Sequence, residues 1–474
     1  MISQAISAET NEKSVKMQAA IQQGKKEDLQ LLLEEKVNPN IQFNDQTSPI
    51  ENAIKHDQKD ILALLISHRA NVNQKDAKGF APLYRAAEKD RRGMVTILLE
   101  AKANLHQRAK NGTTALFISV ENGYTPQTEL LLQAKANPNH GFYDGWSPVM
   151  NAVREGYKNN LQLLINAKAN LQLTYNSMSP TFLAAEYNQL EILKMLINAG
   201  ANISGLAQTD KGSTPLIIAS EKGNFDVVKT LLAENADPDL VFNNGSTAIF
   251  FALFNHHDEI FNILVEAKAD LHLKNITGAT LLHYAADIGQ LEVIKALLKA
   301  GLDIQSKDKN GNTPLHYATT AKKREAVLLL LQSNADPNLE NIHRKTPLIF
   351  AVEYNQVETV KTMLEYKANP TQWVYGGSLL ECARNWNSEI AKMLMDAGAS
   401  PIPSGQKFFI DHIKSRGIKF DSDGACFGII GVSTQKFFAG RWSDYLSALE
   451  WIACEEQKQY KNKRDQLNPV SSEI

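Results

Sequence analysis

The strongest constraint on this chain is an internal register. Short segments of the form Thr/Ser-Pro-apolar recur as Ser48-Pro49-Ile50, Ser147-Pro148-Val149, Thr214-Pro215-Leu216, Thr313-Pro314-Leu315 and Thr346-Pro347-Leu348, with Ala81-Pro82-Leu83 and Ser179-Pro180 as variants. Thr114-Ala115-Leu116, Thr247-Ala248-Ile249 and Thr280-Leu281-Leu282 are degenerate copies between them. The second residues stand at 49, 82, 115, 148, 180, 215, 248, 281, 314 and 347, a spacing of 33 everywhere except the 32 and 35 that flank 180. A period of this length means that each unit is one supersecondary element, too small to bury its own apolar face, so that neighbours must stack. This overrides the ordinary expectation of about three globular domains for 474 residues.

Within a unit the residue types have separable jobs. Thr or Ser caps a helix, Pro occupies its first turn, and Gly allows the tight loop before it. A small Ala, as in Tyr284-Ala285-Ala286, lets a short first helix approach its neighbours. Leu291, Val293, Ile294, Leu297 and Leu298 fall at helical spacing and form the buried face of a second helix. Asn137-Pro138-Asn139 and Asp336-Pro337-Asn338 close a unit and begin the next loop. The order Gly278-Ala-Thr-Leu-Leu-His283-Tyr-Ala and Gly311-Asn-Thr-Pro-Leu-His316-Tyr-Ala318 resembles the ankyrin repeat, whose signature is T-P-L-H-x-A on a period of about 33 residues. The resemblance implies an all-α solenoid of helix-turn-helix units joined by β-hairpin loops, about 12 units over residues 15–400. Residues 1–14 are set apart as an N-terminal tail, 401–457 as a small mainly helical C-terminal module, and 458–474 as a polar tail. One departure is systematic: Lys102, Lys135, Lys168, Lys268 and Lys367 stand where Gly200, Gly301 and Gly398 follow the second helix, a left-handed position that a cation also favours through the helix dipole.

Charge and composition narrow the function classes. Lys plus Arg number 50 against 52 Asp plus Glu, so nothing marks a generic binder of nucleic acid or of a membrane surface, and no apolar run approaches the roughly 20 residues that cross a bilayer. Three cysteines are too few for a disulfide framework and fit a reducing compartment. No cofactor motif or metal set is expected; His256-His257-Asp258-Glu259 lies in the repeat register and supplies no complete ligand set. The expected partner is therefore a protein, met on the concave face. The residue two past the repeated Ala is expected to be exposed there and reads Glu88, Glu121, Arg154, Glu186, Glu221, Phe254, Asp287, Thr320 and Glu353 down the stack. It is either a solvated helix surface or an acidic groove for a basic segment. Phe251, Tyr284, Tyr317 and Phe350 share one position and are read as packing between units or as an aromatic hot spot. Tyr143, Trp146 and Phe242, near hairpin tips, are expected to be exposed contact residues.

Two further expectations come from resemblance. Gly424-Ala-Cys426-Phe427-Gly428 is similar to the nucleophile segment of papain-like cysteine proteases, which implies a thiol hydrolase; a dyad would need His412, or His343 from the repeats, because no histidine follows His412. The competing reading is a buried cysteine in a capping module. Cys382 is read as core, at the repeated Ala position. The long array with a small unrelated C-terminal module also resembles effectors of intracellular bacteria, which implies type IV export without a Sec signal peptide into host cytoplasm or nucleus and a host protein as partner. Residence in the chain's own cytoplasm is the alternative.

Overall fold

A computed structural model describes residues 2–176, 178–204, 213–374 and 377–399, with side chains described outside 2–10, 373–377 and 385–386. The chain divides into two compact bodies, Met1–Ala269 and Asp270–Ile474.

The N-terminal body is a stack of helix pairs: α1 (Ile2–Gln22) with α2 (Lys26–Glu34), α3 (Pro49–Lys55) with α4 (Lys59–Ser67), α5 (Pro82–Glu88) with α6 (Arg92–Glu100), and α7 (Ala115–Glu121) with α8 (Thr125–Gln133). It continues with α9 (Pro148–Arg154) and α10 (Lys158–Asn166), α11 (Pro180–Glu186) and α12 (Leu190–Asn198), α13 (Pro215–Lys222) and α14 (Phe225–Ala233), and α15 (Ala248–Phe254) and α16 (Asp258–Glu266). The described part of the C-terminal body holds α17 (Leu281–Ile288) with α18 (Leu291–Lys299), α19 (Pro314–Thr320) with α20 (Arg324–Gln332), α21 (Pro347–Glu353) with α22 (Val357–Glu365), and α23 (Leu379–Trp386) with α24 (Ser388–Asp396). In each body the odd helices pack on one another as one layer and the even helices as a second. Of these twelve pairs among the described residues, ten begin at the register positions and one further pair lies at each end. Helix α1 reaches back to Ile2, across the segment set apart as a tail, because residues 2–22 contain no Gly or Pro to stop it. Strands β1 (Trp373–Val374) and β2 (Gly377–Ser378) pair antiparallel, the one loop among the described residues that forms a ladder. Other loops are closed by single backbone bonds such as Asp76 N–H to Phe80 O at 2.9 Å.

The local chemistry is as expected. The side-chain oxygens of Ser48, Thr114, Ser147, Ser179, Thr214 and Thr346 each accept the backbone N–H three residues on, the bond that an N-cap supplies. Pro at the first helical position loses no bond there. The repeated Ala53, Ala86, Ala152, Ala184, Ala219, Ala252, Ala285, Ala318 and Ala351 are wholly buried, where a larger side chain would push the odd-helix layer apart. Second-helix residues such as Leu62, Leu98, Leu131, Leu164 and Leu231 are also fully buried, each contributing roughly 2 kcal/mol from apolar area.

The lysines that replace glycine do adopt the left-handed conformation: φ is 59° at Lys102, 72° at Lys135, 59° at Lys168, 61° at Lys268 and 64° at Lys367. A side chain in that region costs about 1–2 kcal/mol, which the cation's interaction with the helix C-terminus offsets in part. Replacing Lys135 by Gly is therefore expected to raise stability by about 0.5–1 kcal/mol, read as a higher urea midpoint with unchanged slope.

Candidate partner-binding face

The row expected to line the binding face is formed by the last turns of the odd helices, and it is less exposed than its sequence pattern implies. Glu88, Glu121, Arg154, Glu186, Glu221, Asp287 and Glu353 are half-buried; Phe254 and Thr320 are exposed. The reason is the preceding and following units, whose side chains shade each position. Burial accordingly raises the carboxyl pKa of Glu121, against the pull of the Arg154 charge, and that of Asp287, against Lys323.

Several members of the row are internally compensated. Glu88 lies 3.0 Å from the guanidinium of Arg85, which also pairs with Asp76 at 2.6 Å. Glu353 receives Lys345 Nζ at 2.7 Å. Arg154 interrupts the acidic run: its Nε donates to Glu155 at 2.7 Å, its Nη2 donates to Asn151 Oδ1 at 2.9 Å, and its guanidinium covers the Trp146 ring at 5.1 Å. Glu186 and Glu221, on α11 and α13, have no ion-pair partner among the described residues. They stand at the same position in consecutive units, followed by Phe254 on α15, whose exposure is 56%, and beside Tyr187, at 48%. That short stretch of the N-terminal body combines half-buried carboxylates outside any ion pair with exposed aromatic surface.

The three hairpin aromatics separate. Tyr143 is exposed, with Arg108 over its ring at 4.6 Å. Trp146 is not a surface contact: it is buried, its Nε1 donates to Asn151 Oδ1 at 3.3 Å, and its ring meets Tyr175 of the next loop edge-on at 5.4 Å. Neighbouring loops pack on each other at this point, so the large ring becomes core. Phe242 is half-buried against Phe251 at 5.6 Å. The aromatic position shared by four units is packing: His283 meets Tyr317 edge-on at 5.1 Å, His316 meets Phe350 at 6.0 Å, and the Tyr284 hydroxyl accepts from Asn275 at 2.8 Å. Cys382 is half-buried rather than core; it occupies the Phe350-equivalent position, and Ala383 beside it fills the buried Ala slot. His257 Nε2 lies 3.1 Å from the Glu221 carbonyl, which accounts for that histidine as a link between units. Cys426 and His412, with the module and tail that contain them, lie outside the described residues.

Sequence reading missed the role of His283 and His316. Each is essentially buried. Nδ1 of His283 accepts the Thr280 N–H at 3.1 Å while Nε2 donates to the Asn312 carbonyl of the next unit at 3.1 Å. Nδ1 of His316 accepts from Thr313 N–H at 3.0 Å and Nε2 donates to the Lys345 carbonyl at 3.0 Å. Those two bonds require the neutral ring. The available signal was a histidine three residues after a capping threonine.

This architecture, two layers of short capped helices stacked on a constant register with no helix among the described residues long and apolar enough to cross a membrane, defines a protein-interaction repeat scaffold. The chain belongs to the ankyrin-repeat family. The family model described as "Ankyrin repeats (3 copies)" matches residues 16–109, 91–175, 181–275 and 267–341, and the single "Ankyrin repeat" model matches 343–373. Among solved structures, the chain is similar to the ankyrin repeat domain of human ASB11, at 28% identity over 47% of this chain and 100% of that chain, with a TM-score of 0.41. A comparison with curated proteins returns no match.

Proposed function

We propose that the chain is a protein-binding scaffold whose N-terminal body takes a basic segment of its partner along Glu186, Glu221 and Phe254. The observation that carries this is a pair of half-buried carboxylates without an ion-pair partner among the described residues, in consecutive units beside two exposed aromatic rings. Adjacent units place equivalent residues about 10 Å apart, the usual separation of packed helices. An extended segment advances about 3.3 Å per residue, so cations at every third position would meet both carboxylates. An apolar residue three further on would reach Phe254. The acidic groove is thus local to α11–α15, since Arg154 and the paired Glu88 leave the upstream row nearly neutral.

The test uses a panel of labelled peptides with Lys or Arg at every third position, titrated by fluorescence anisotropy. Glu186→Gln/Glu221→Gln is expected to weaken the best binder by about ten-fold and to flatten its salt dependence, because two partly desolvated charge pairs are lost. Equal affinity of wild type and double variant at low salt would remove the site. The cellular setting we assign is a host cell reached by type IV export, supported by the resemblance of a long array with a C-terminal extension to such effectors. A translocation reporter fused ahead of the chain, with and without residues 458–474, tests that assignment, and no transfer in either form defeats it.

A further inference from the structure

We propose that three adjoining loop tips of the C-terminal body form a docking ridge for an anionic membrane surface. The loops span 275–279, 308–312 and 341–345. Each is closed by a backbone bond, Asn275 N–H to Ala279 O, Asp308 N–H to Asn312 O and Asn341 N–H to Lys345 O, all at 3.0 Å. Each is also held from within by a buried side chain. Asn275 Oδ1 accepts from Thr277 and Ala279, Asp308 Oδ1 from Asn310 and Asn312, and Asn341 Oδ1 from His343 and Lys345. The tips are then tied to one another: Lys309 N–H donates to Thr277 O at 2.8 Å and Ile342 N–H to Asn310 O at 2.9 Å. The result is a preorganised edge rather than three independent loops.

At the same place on each tip stand Ile276, Lys309 and Ile342, and the two isoleucines are 56% and 62% exposed. Lys274, Lys307 and Arg344 are exposed beside them; Glu340 is the exposed carboxylate next to the tips, while Asp270 and Asp303 are exposed farther back on the same interhelical segments. Lys307 Nζ bonds the Glu340 carbonyl at 2.9 Å, so part of its charge is already spent. The fold does not require isoleucine here, since Lys309 fills the equivalent position. In the N-terminal body Asn44, Ala77, Lys110 and Asn243 occupy it, with Tyr143 as the large residue. An occupant must accept two protruding aliphatic side chains about 20 Å apart, two repeat spacings, together with flanking cations. A rigid protein surface would need two pockets at that separation. A layer of anionic headgroups yields to the side chains and supplies the charge without a fixed register.

The experiment is co-sedimentation of the full chain with vesicles of phosphatidylcholine alone and of phosphatidylcholine with phosphatidylserine. The expected result is at least about ten-fold stronger partition onto the serine-containing vesicles, weakened by added salt. Ile276→Ser/Ile342→Ser and, separately, Lys307→Ser/Lys309→Ser should each lower that partition about ten-fold with helix content unchanged, since all four side chains are exposed. Glu186→Gln/Glu221→Gln should leave it as it is, which separates this surface from the peptide site. Equal partition onto both vesicle types, or partition indifferent to both tip variants, overturns the proposal. So does tip-dependent binding of soluble polyglutamate without vesicle binding, which would assign the ridge to an acidic protein.

Discussion

Acidification from neutral pH to about pH 5 is expected to destabilise the C-terminal body by about 2 kcal/mol for each of His283 and His316. Both rings have their pKa pushed down to about 4 from an ordinary 6.5. Burial is the main cause in each case, and the carbonyls of Asn312 and Lys345 and the carboxylate of Asp308 pull weakly the other way, with Lys274 and Lys307 reinforcing burial. The unfolded chain takes up a proton on each imidazole below about pH 6.5, and the folded chain only near 4. Stability is therefore full above 6.5, falls as the pH drops through the window between those values, and levels off below it; the complete loss approaches about 3 kcal/mol per ring. Asp287 on the same helix has its pKa raised by burial, which works in the opposite sense and trims the effect. Hydrogen exchange should show α17 to α20 losing protection first, and the urea midpoint should fall with pH. His283→Gln/His316→Gln, which cannot titrate, should be less stable at pH 7 and nearly flat between about pH 7 and 5. A double variant with the same pH slope as wild type would refute the assignment. The corresponding N-terminal positions are Glu51, Tyr84, Phe117, Met150, Phe182, Ile217 and Phe250, so no histidine occupies this slot in that body.

What was legible beforehand was local. Capping by Ser48 or Thr214, the buried Ala slot, and the left-handed lysines depend on residues a few places apart, and each follows from the chemistry of one turn. Ten of the helix pairs among the described residues begin at the ten register positions, and α1–α2 and α23–α24 extend the stack beyond them. Exposure was not legible, because it is set one unit away. Trp146 reads as a loop aromatic until Tyr175, 29 residues on, closes over its edge. Six members of the row read as acidic, and only the structure shows that Arg85 and Lys345 neutralise two of them. Cys382 was displaced by one position because the last pair carries a two-stranded turn in place of the usual loop, and the register there is harder to align. The division after Ala269 has no counterpart in the register, which runs unbroken from Ala248 to Leu281. Ile276 and Ile342 were readable as equivalent tips, but an apolar residue in a loop has meaning only once its neighbours are known to leave it uncovered.

Gly141→Ala is expected to be among the most damaging single substitutions in the N-terminal body, by about 3 kcal/mol or more. A Cβ at Gly141 would sit 1.8 Å from the Trp146 carbonyl oxygen and 2.8 Å from its carbon. Both are backbone atoms of the same loop, so no side-chain rotation relieves the overlap. The loop must open instead. That breaks the Phe142 N–H to Trp146 O bond at 3.0 Å and moves the Gly141 carbonyl away from Arg108 Nη2, which donates to it at 2.7 Å across adjoining units. Phe142 is then displaced from its edge contact with the fully buried Phe117 at 5.0 Å, carrying the damage from the tip into the core. Gly200→Ala supplies the comparison. Its φ is +80° but nothing lies within 4 Å of the added carbon, so only the left-handed conformational cost applies, about 1 kcal/mol. Denaturant titration of the two variants measures the difference directly. If Gly141→Ala proves no more costly than Gly200→Ala, the loops there are able to shift independently, and the tight coupling of adjacent tips in the N-terminal body fails with it.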